Sequence, residues 1–82
     1  MTGQDRSGRI HDLDVTVWVG KKGIDPVVDE LRDQLENTDL VKVKFLRAAR
    51  GGTTTEELAE QLVDRVDGEL VETRGHTAVV GR

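Results

Sequence analysis

The stretch VTVWVGKKGIDP, residues 15–26, decides the fold, because it passes from strand to loop to helix start without a break. Val15, Val17 and Val19 alternate with Thr16 and Trp18, and β-branched and aromatic residues in that pattern predict a strand over 15–19. Gly20 ends it. Asp25 then reads as an N-cap with Pro26 at the first helical position. Val27, Val28, Leu31 and Leu35 recur at helical spacing, which predicts an amphipathic helix over 26–37 with its acids outward.

Working outward, LVKVKFL (40–46) alternates strictly. Val41, Val43 and Phe45 fall on one face and Lys42 and Lys44 on the other, the pattern of a strand between core and water. RAARGGT (47–53) reads as a loop. Thr53-x-x-Glu56 or Thr54-x-x-Glu57 supplies a capping box for a second helix, marked by Leu58, Ala59, Leu62, Val63 and Val66, with Gly68 as its C-terminal cap. ELVET (69–73), a turn at Arg74-Gly75 and HTAVV (76–80) predict a closing hairpin. Towards the N-terminus, IHDL (10–13) suggests a short helical turn, and the polar residues 1–9 a disordered start. The order β-α-β-α-β-β predicts an α+β fold of two layers: a four-stranded mixed sheet with helices mainly on one side.

At 82 residues the chain accommodates one domain, expected over 10–82, with a modest core and no deep pocket for a small-molecule substrate. Cysteine is absent, so disulfides and thiolate metal sites are excluded. His11 and His76 are too few and too far apart in sequence to argue for a metal, and no cofactor is expected. No apolar run approaches the roughly 20 residues of a membrane span, and the N-terminus lacks a signal peptide's apolar stretch. A cytoplasmic protein without a membrane partner is the expectation. No nucleophile, base and oxyanion site occur together, so the chain reads as a non-enzyme.

The net charge is −4, but its distribution matters more. Residues 25–39 and 56–69 each carry −5, whereas 40–50 carry +4 through Lys42, Lys44, Arg47 and Arg50. All four lysines lie either in this strip or in the loop Gly20-Lys21-Lys22-Gly23. Arginine outnumbers lysine 8 to 4, and aspartate outnumbers glutamate 9 to 7, a composition like that of proteins from salt-loving organisms.

The GKKG loop poses the chemical question. Gly20 and Gly23 allow backbone angles closed to other residues and a close approach to the main chain. The N–H groups of the following helix would add partial positive charge, and Lys21 and Lys22 two ammonium groups. The target of such a loop is a phosphate. The spacings G-x-x-x-x-G-K-[ST] and G-x-G-x-x-G are absent, which leaves a G-x-x-G clamp on a polynucleotide backbone, as in KH domains. A tight turn with solvated lysines is the plainer reading of the loop alone. The second basic strip favours the clamp, since Lys42 and Lys44 stand about 6.6–6.8 Å apart on one strand face.

V-G-K-K-G-I, then D-L-V-K-V-K-F-L-R, and finally E-L-V-E-T-R-G-H-T-A-V-V-G-R resemble, in order and spacing, the YhbY/CRM (chloroplast RNA splicing and ribosome maturation) family. The resemblance covers about residues 10–82. It implies a single-domain RNA-binding protein, similar in fold to the C-terminal domain of a bacterial translation initiation factor, with ribosomal RNA or a precursor ribosomal particle as partner and a role in ribosome assembly. Residue by residue, it places the RNA-binding loop on Gly20, Lys21, Lys22 and Gly23, the basic strand on Lys42 and Lys44, and the closing hairpin on Arg74, Gly75, His76 and Thr77. Arg47 and Arg50 extend the strip. The chain departs from the family in a shortened basic N-terminal helix, at about residues 6–13, and in lacking a basic C-terminal tail.

V-W-V-G-K-K also resembles the first block of the Alba family of chromatin and RNA-binding proteins, a likeness that fades after the first helix. An acidic adaptor that docks through its helices and binds no nucleic acid is the third reading. Trp18 is expected to pack beneath the N-terminal turn, on the strength of its size. Stacking on a base is its alternative.

Overall fold

The computed structural model describes residues 13–82. The expected disordered start (1–9) and all but the last residue of IHDL (10–13) lie outside them. Strand β1 (Val15–Val19) leads through a 3₁₀ turn at Asp25–Val27 into helix α1 (Val28–Asn37). Strand β2 (Leu40–Phe45), a 3₁₀ turn at Arg47–Arg50 and helix α2 (Thr55–Val66) follow, and β3 (Glu69–Arg74) and β4 (Thr77–Gly81) close the chain. The sheet order is β1-β2-β4-β3, with β1 and β2 parallel and the other pairs antiparallel. This is the expected four-stranded mixed sheet in an α+β fold.

One face of the sheet carries the core. Val17, Val19, Val41, Val43, Phe45, Ala78 and Val80 meet Leu31 and Leu35 of α1 and Leu58, Ala59, Leu62 and Val66 of α2. Both helices therefore lie on the same side, α1 over β2 and α2 over β3 and β4. The helical period drives this, because only the apolar stripe of each helix can replace water at the sheet. The acids are left outward: Asp29, Glu30, Asp33 and Glu36 on α1 and Glu56, Glu57, Glu60 and Asp64 on α2 are exposed.

Helix termini differ from expectation in two places, the start of α1 and the end of α2. Asp25 does not cap α1: it lies inside the 3₁₀ turn, and its carboxylate accepts from Arg65 of α2 at 2.6 Å. At the start of α2, the Thr54 hydroxyl accepts from the Glu57 N–H at 3.1 Å, as one of the two capping boxes anticipated. The Glu57 carboxylate accepts from Thr53 Oγ1 at 2.7 Å. At the end of α2, the left-handed residue is Asp67 (φ +56), not Gly68. Aspartate tolerates that region because its short polar side chain bonds locally.

Gly68 serves another purpose. A Cβ built on it would lie 2.8 Å from the Gly81 carbonyl oxygen and 3.2 Å from side-chain atoms of Val66 and Val80. The chain passes so close to β4 that no side chain fits. Gly68→Ala should therefore destabilise the protein by about 1–3 kcal/mol, as overpacking against backbone does. Asp67→Gly should change stability by no more than about 0.5 kcal/mol, as a surface position does. Urea melts of the two variants check the contrast, and equal effects would contradict it.

The closing hairpin is shifted by one residue from its expected place. Arg74 pairs with Thr77, so the two-residue loop is Gly75-His76. Gly75 alone carries a positive φ (+59), as the first loop residue of a type II′ turn requires.

Candidate nucleic-acid interface

The GKKG segment is a four-residue turn. Its ends are joined by Gly23 N–H donating to the Gly20 carbonyl at 2.9 Å, and Lys21 and Lys22 are exposed at its corners. Gly23 has φ +80, so its glycine identity serves the backbone, although a Cβ there would meet nothing within 4 Å. Gly20 has no left-handed angle, and a Cβ on it would make an ordinary 3.8 Å contact with Leu46 Cδ1. The fold thus requires the second glycine but not the first.

The expected helix N-terminal anion site does not form beside this turn. Ile24 is buried, and the 3₁₀ turn consumes two backbone donors: Val27 N–H bonds the Ile24 carbonyl and Val28 N–H the Asp25 carbonyl. Asp25, Asp29 and Glu30 crowd the first turns. Acids there repel a phosphate, so positive charge comes from the lysine side chains and not from the helix dipole.

Strand pairing brings the remaining basic groups to the same end of the sheet. Leu46 N–H donates to the Val19 carbonyl at 2.8 Å, and Phe45 N–H donates to the His76 carbonyl at 2.8 Å. These bonds join the end of β1, the end of β2 and the β3–β4 turn. Lys21, Lys22, Lys44, Arg47, Arg74 and His76 are all exposed around this rim. Arg50 is half-buried, and its Nε donates to the Phe45 carbonyl at 3.1 Å, so it fastens the loop after β2 as well as adding charge.

Lys42 is set apart. It is half-buried one row below Lys44, paired with Val15 on one side and with Val79 on the other. The outer face of β2 is not uniformly wet, as strict alternation had suggested. Leu40 (4% exposed) and Val79 (2%) are buried outside the main core, so the lower part of this face is apolar and the upper part basic.

Trp18 is 52% exposed, which corrects the expectation that it is packed away. It pairs in register with Lys44. Thr16, placed beside Trp18 by alternation, sits where the β1–β2 register shifts, and its hydroxyl donates to Gln34 Oε1 of α1 at 2.6 Å. Sequence reasoning left Trp18 open between core packing and base stacking and reached Thr77 only through the family resemblance, because register between distant strands cannot be read from local pattern.

A cleft of about 400 Å³ lies between the C-terminal ends of the helices, lined by residues including Arg32, Leu35, Val66 and Arg82. Its guanidinium groups are engaged. Arg32 donates to the Arg65 carbonyl, and Arg82 to the carbonyls of Leu35 and Glu36, the favourable arrangement for cations at helix C-termini. Among the described residues, no group of three or more His, Cys, Asp or Glu side chains is placed to hold a metal. Among the same residues, no helix is long and apolar enough to cross a membrane.

Three comparisons bear on this arrangement. The chain is 38% identical over 74 residues to "Probable RNA-binding protein MJ0652" of Methanocaldococcus jannaschii, a match spanning 90% of this chain. It spans only 55% of that relative's length. Its fold is similar, with a TM-score of 0.73 and 35% identity, to "the hypothetical protein SAV1595 from Staphylococcus aureus, a putative RNA binding protein", solved in solution. That likeness covers 94% of this chain and 78% of the other. The profile of the CRS1 / YhbY (CRM) domain matches residues 4–82, running through the second helix and closing hairpin, where the likeness to Alba proteins has already ended. This chain belongs to the CRS1/YhbY (CRM) domain family.

Proposed function

We propose that the protein binds RNA, and specifically ribosomal RNA or a precursor ribosomal particle, as a non-catalytic assembly factor in the cytoplasm. The observation that carries the reading is the convergence of the GKKG turn, Lys44, Arg47 and the Arg74–His76 turn at one end of the sheet. The acids of α1 and α2 cover the opposite layer. A polyanion approaching the rim meets cations, and one approaching the helices is repelled. Membership of the CRM family and a relative named as a probable RNA-binding protein support the same polymer. The ribosomal target is the narrower part of the proposal and follows from the family resemblance.

The test is an electrophoretic shift assay with structured ribosomal RNA fragments, followed by sequencing of RNA crosslinked to the protein in its own cells. Absence of any shift would favour the acidic adaptor. Recovery of non-ribosomal RNA would remove the assembly role and leave RNA binding.

The loop mechanism has its own discriminating variant. Gly20→Ala is compatible with the fold, so it should melt normally yet bind RNA several-fold more weakly if the RNA backbone approaches the turn. Gly23→Ala forces an alanine into the left-handed region at about 1–2 kcal/mol and should weaken folding as well. Normal binding by a folded Gly20→Ala protein would reduce the segment to an ordinary turn.

A further inference from the structure

A row of paired residues crosses the top of the open sheet face. Trp18 pairs with Lys44, Lys44 with Thr77 and Thr77 with Arg74, so one rung crosses all four strands in the order β1, β2, β4, β3. Trp18, Lys44 and Arg74 are exposed and Thr77 is half-buried. The Thr77 hydroxyl donates to the Arg74 carbonyl at 2.8 Å, which holds the end of the rung in place. Residues paired in register share a face, and neighbouring strands lie about 4.8 Å apart. Trp18 and Lys44 are thus one spacing apart at the backbone, and Lys44 and Arg74 two spacings, about 10 Å. Glu72, half-buried, shares the face one row down, opposite Val79.

Resting on the RNA-binding reading above, we propose that this rung is a binding site for unpaired RNA. A nucleobase stacks on Trp18, and the flanking phosphates lie on Lys44 and Arg74. An indole half open to water beside a cation is a platform for a planar π-system attached to an anion. Every base has such a face, so the site selects unpaired strand over duplex without selecting sequence. A duplex keeps its bases stacked inside and presents Trp18 with none. The GKKG turn and Arg47 border the same end of β1 and β2, so a strand leaving the rung continues onto them.

Trp18 is the sole tryptophan, and tyrosine is absent, so the protein's own emission above the phenylalanine band reports this residue alone. The probe is a mixed-sequence single-stranded RNA of about 8 nucleotides, within the range of single-strand sites. It is titrated unlabelled while Trp18 fluorescence is followed, and end-labelled while anisotropy is followed. The expected result is quenching that saturates at the midpoint found by anisotropy. The matching duplex should produce little quenching. Trp18→Leu should weaken single-strand binding by about 5- to 150-fold, and Trp18→Phe, which keeps an aromatic face, should restore much of it. Binding by anisotropy with unchanged emission, or duplex RNA quenching as strongly as single strand, would overturn the stacking site and leave RNA binding at the rim intact. No binding of the single strand by either readout would overturn the rung as a site, while the shift assay with structured ribosomal RNA decides the RNA reading itself. The wild-type titration does not depend on any variant folding.

Discussion

Replacing Lys21, Lys22, Lys42 and Lys44 together with alanine should remove most of the RNA affinity while leaving a folded protein. Three of the four are exposed and the fourth is half-buried, so their side chains contribute little to the core. Each phosphate neutralised on a single strand contributes about 0.7 to the log–log salt slope. Loss of four such contacts lowers the slope by up to about 2.8, and at ~0.1 M salt that amounts to as much as roughly 600-fold in affinity. The six basic residues Lys21, Lys22, Lys42, Lys44, Arg47 and Arg50, if all on phosphates, would give a wild-type slope of about 4.2. If the protein works at molar salt, where the Debye length is about 3 Å, close contacts must dominate and a smaller wild-type slope is expected. Arg50 also spends its Nε on the Phe45 carbonyl. Filter binding of a ribosomal RNA fragment across a salt series measures both quantities. An unchanged slope in the variant would take the lysines out of the interface.

The largest effect on stability is expected from Phe45→Ala. Phe45 is fully buried and is among the largest enclosed side chains. Truncating a buried phenylalanine costs about 3–5 kcal/mol, through lost burial and the cavity left behind. A chain of this length has a total stability of only about 4–12 kcal/mol, so the variant should sit near or below the folding threshold. For a domain of this size, each kcal/mol lowers Tm by roughly 4–8 °C, so a fall of at least about 12 °C is expected. Phe45→Leu, which keeps more of the apolar volume, should cost less. The backbone of the same residue receives Arg50 through its carbonyl and reaches His76 through its N–H. RNA binding should therefore fail along with the fold in Phe45→Ala and survive in Phe45→Leu. A Tm within a few degrees of wild type for Phe45→Ala would mean that the sheet end does not depend on this packing.

Several local features were legible because they depend on neighbours in sequence. Alternation of Val17 with Val19, and of Val41, Val43 and Phe45, marked two strands whose core faces are as expected, whereas Val15 pairs with Lys42 on the open face where the register shifts. Helical spacing marked both helices, and Thr54 capped the second through Glu57. Gly23 carries the positive φ that a glycine-bounded loop suggested. The family was legible for the same reason, since three blocks in order and spacing are a local signature repeated along the chain.

What only the tertiary structure decided depends on residues that meet across long separations. Asp25 looked like a cap, but Arg65, forty positions away, takes its carboxylate. Gly68 looked like a left-handed cap, but its missing side chain makes room for the Gly81 carbonyl while Asp67 carries the left-handed angle. Lys42 and Lys44 looked equivalent, yet pairing with buried Val79 leaves the first half-buried, while pairing with Thr77 leaves the second open. Trp18 looked like core by size, and register placed it in an exposed rung with Lys44, Thr77 and Arg74. Side-chain period within a strand follows from the pleat and is written in consecutive residues. Strand order and register follow from which pairings bury the most apolar surface together, a property of the whole chain that no single stretch contains.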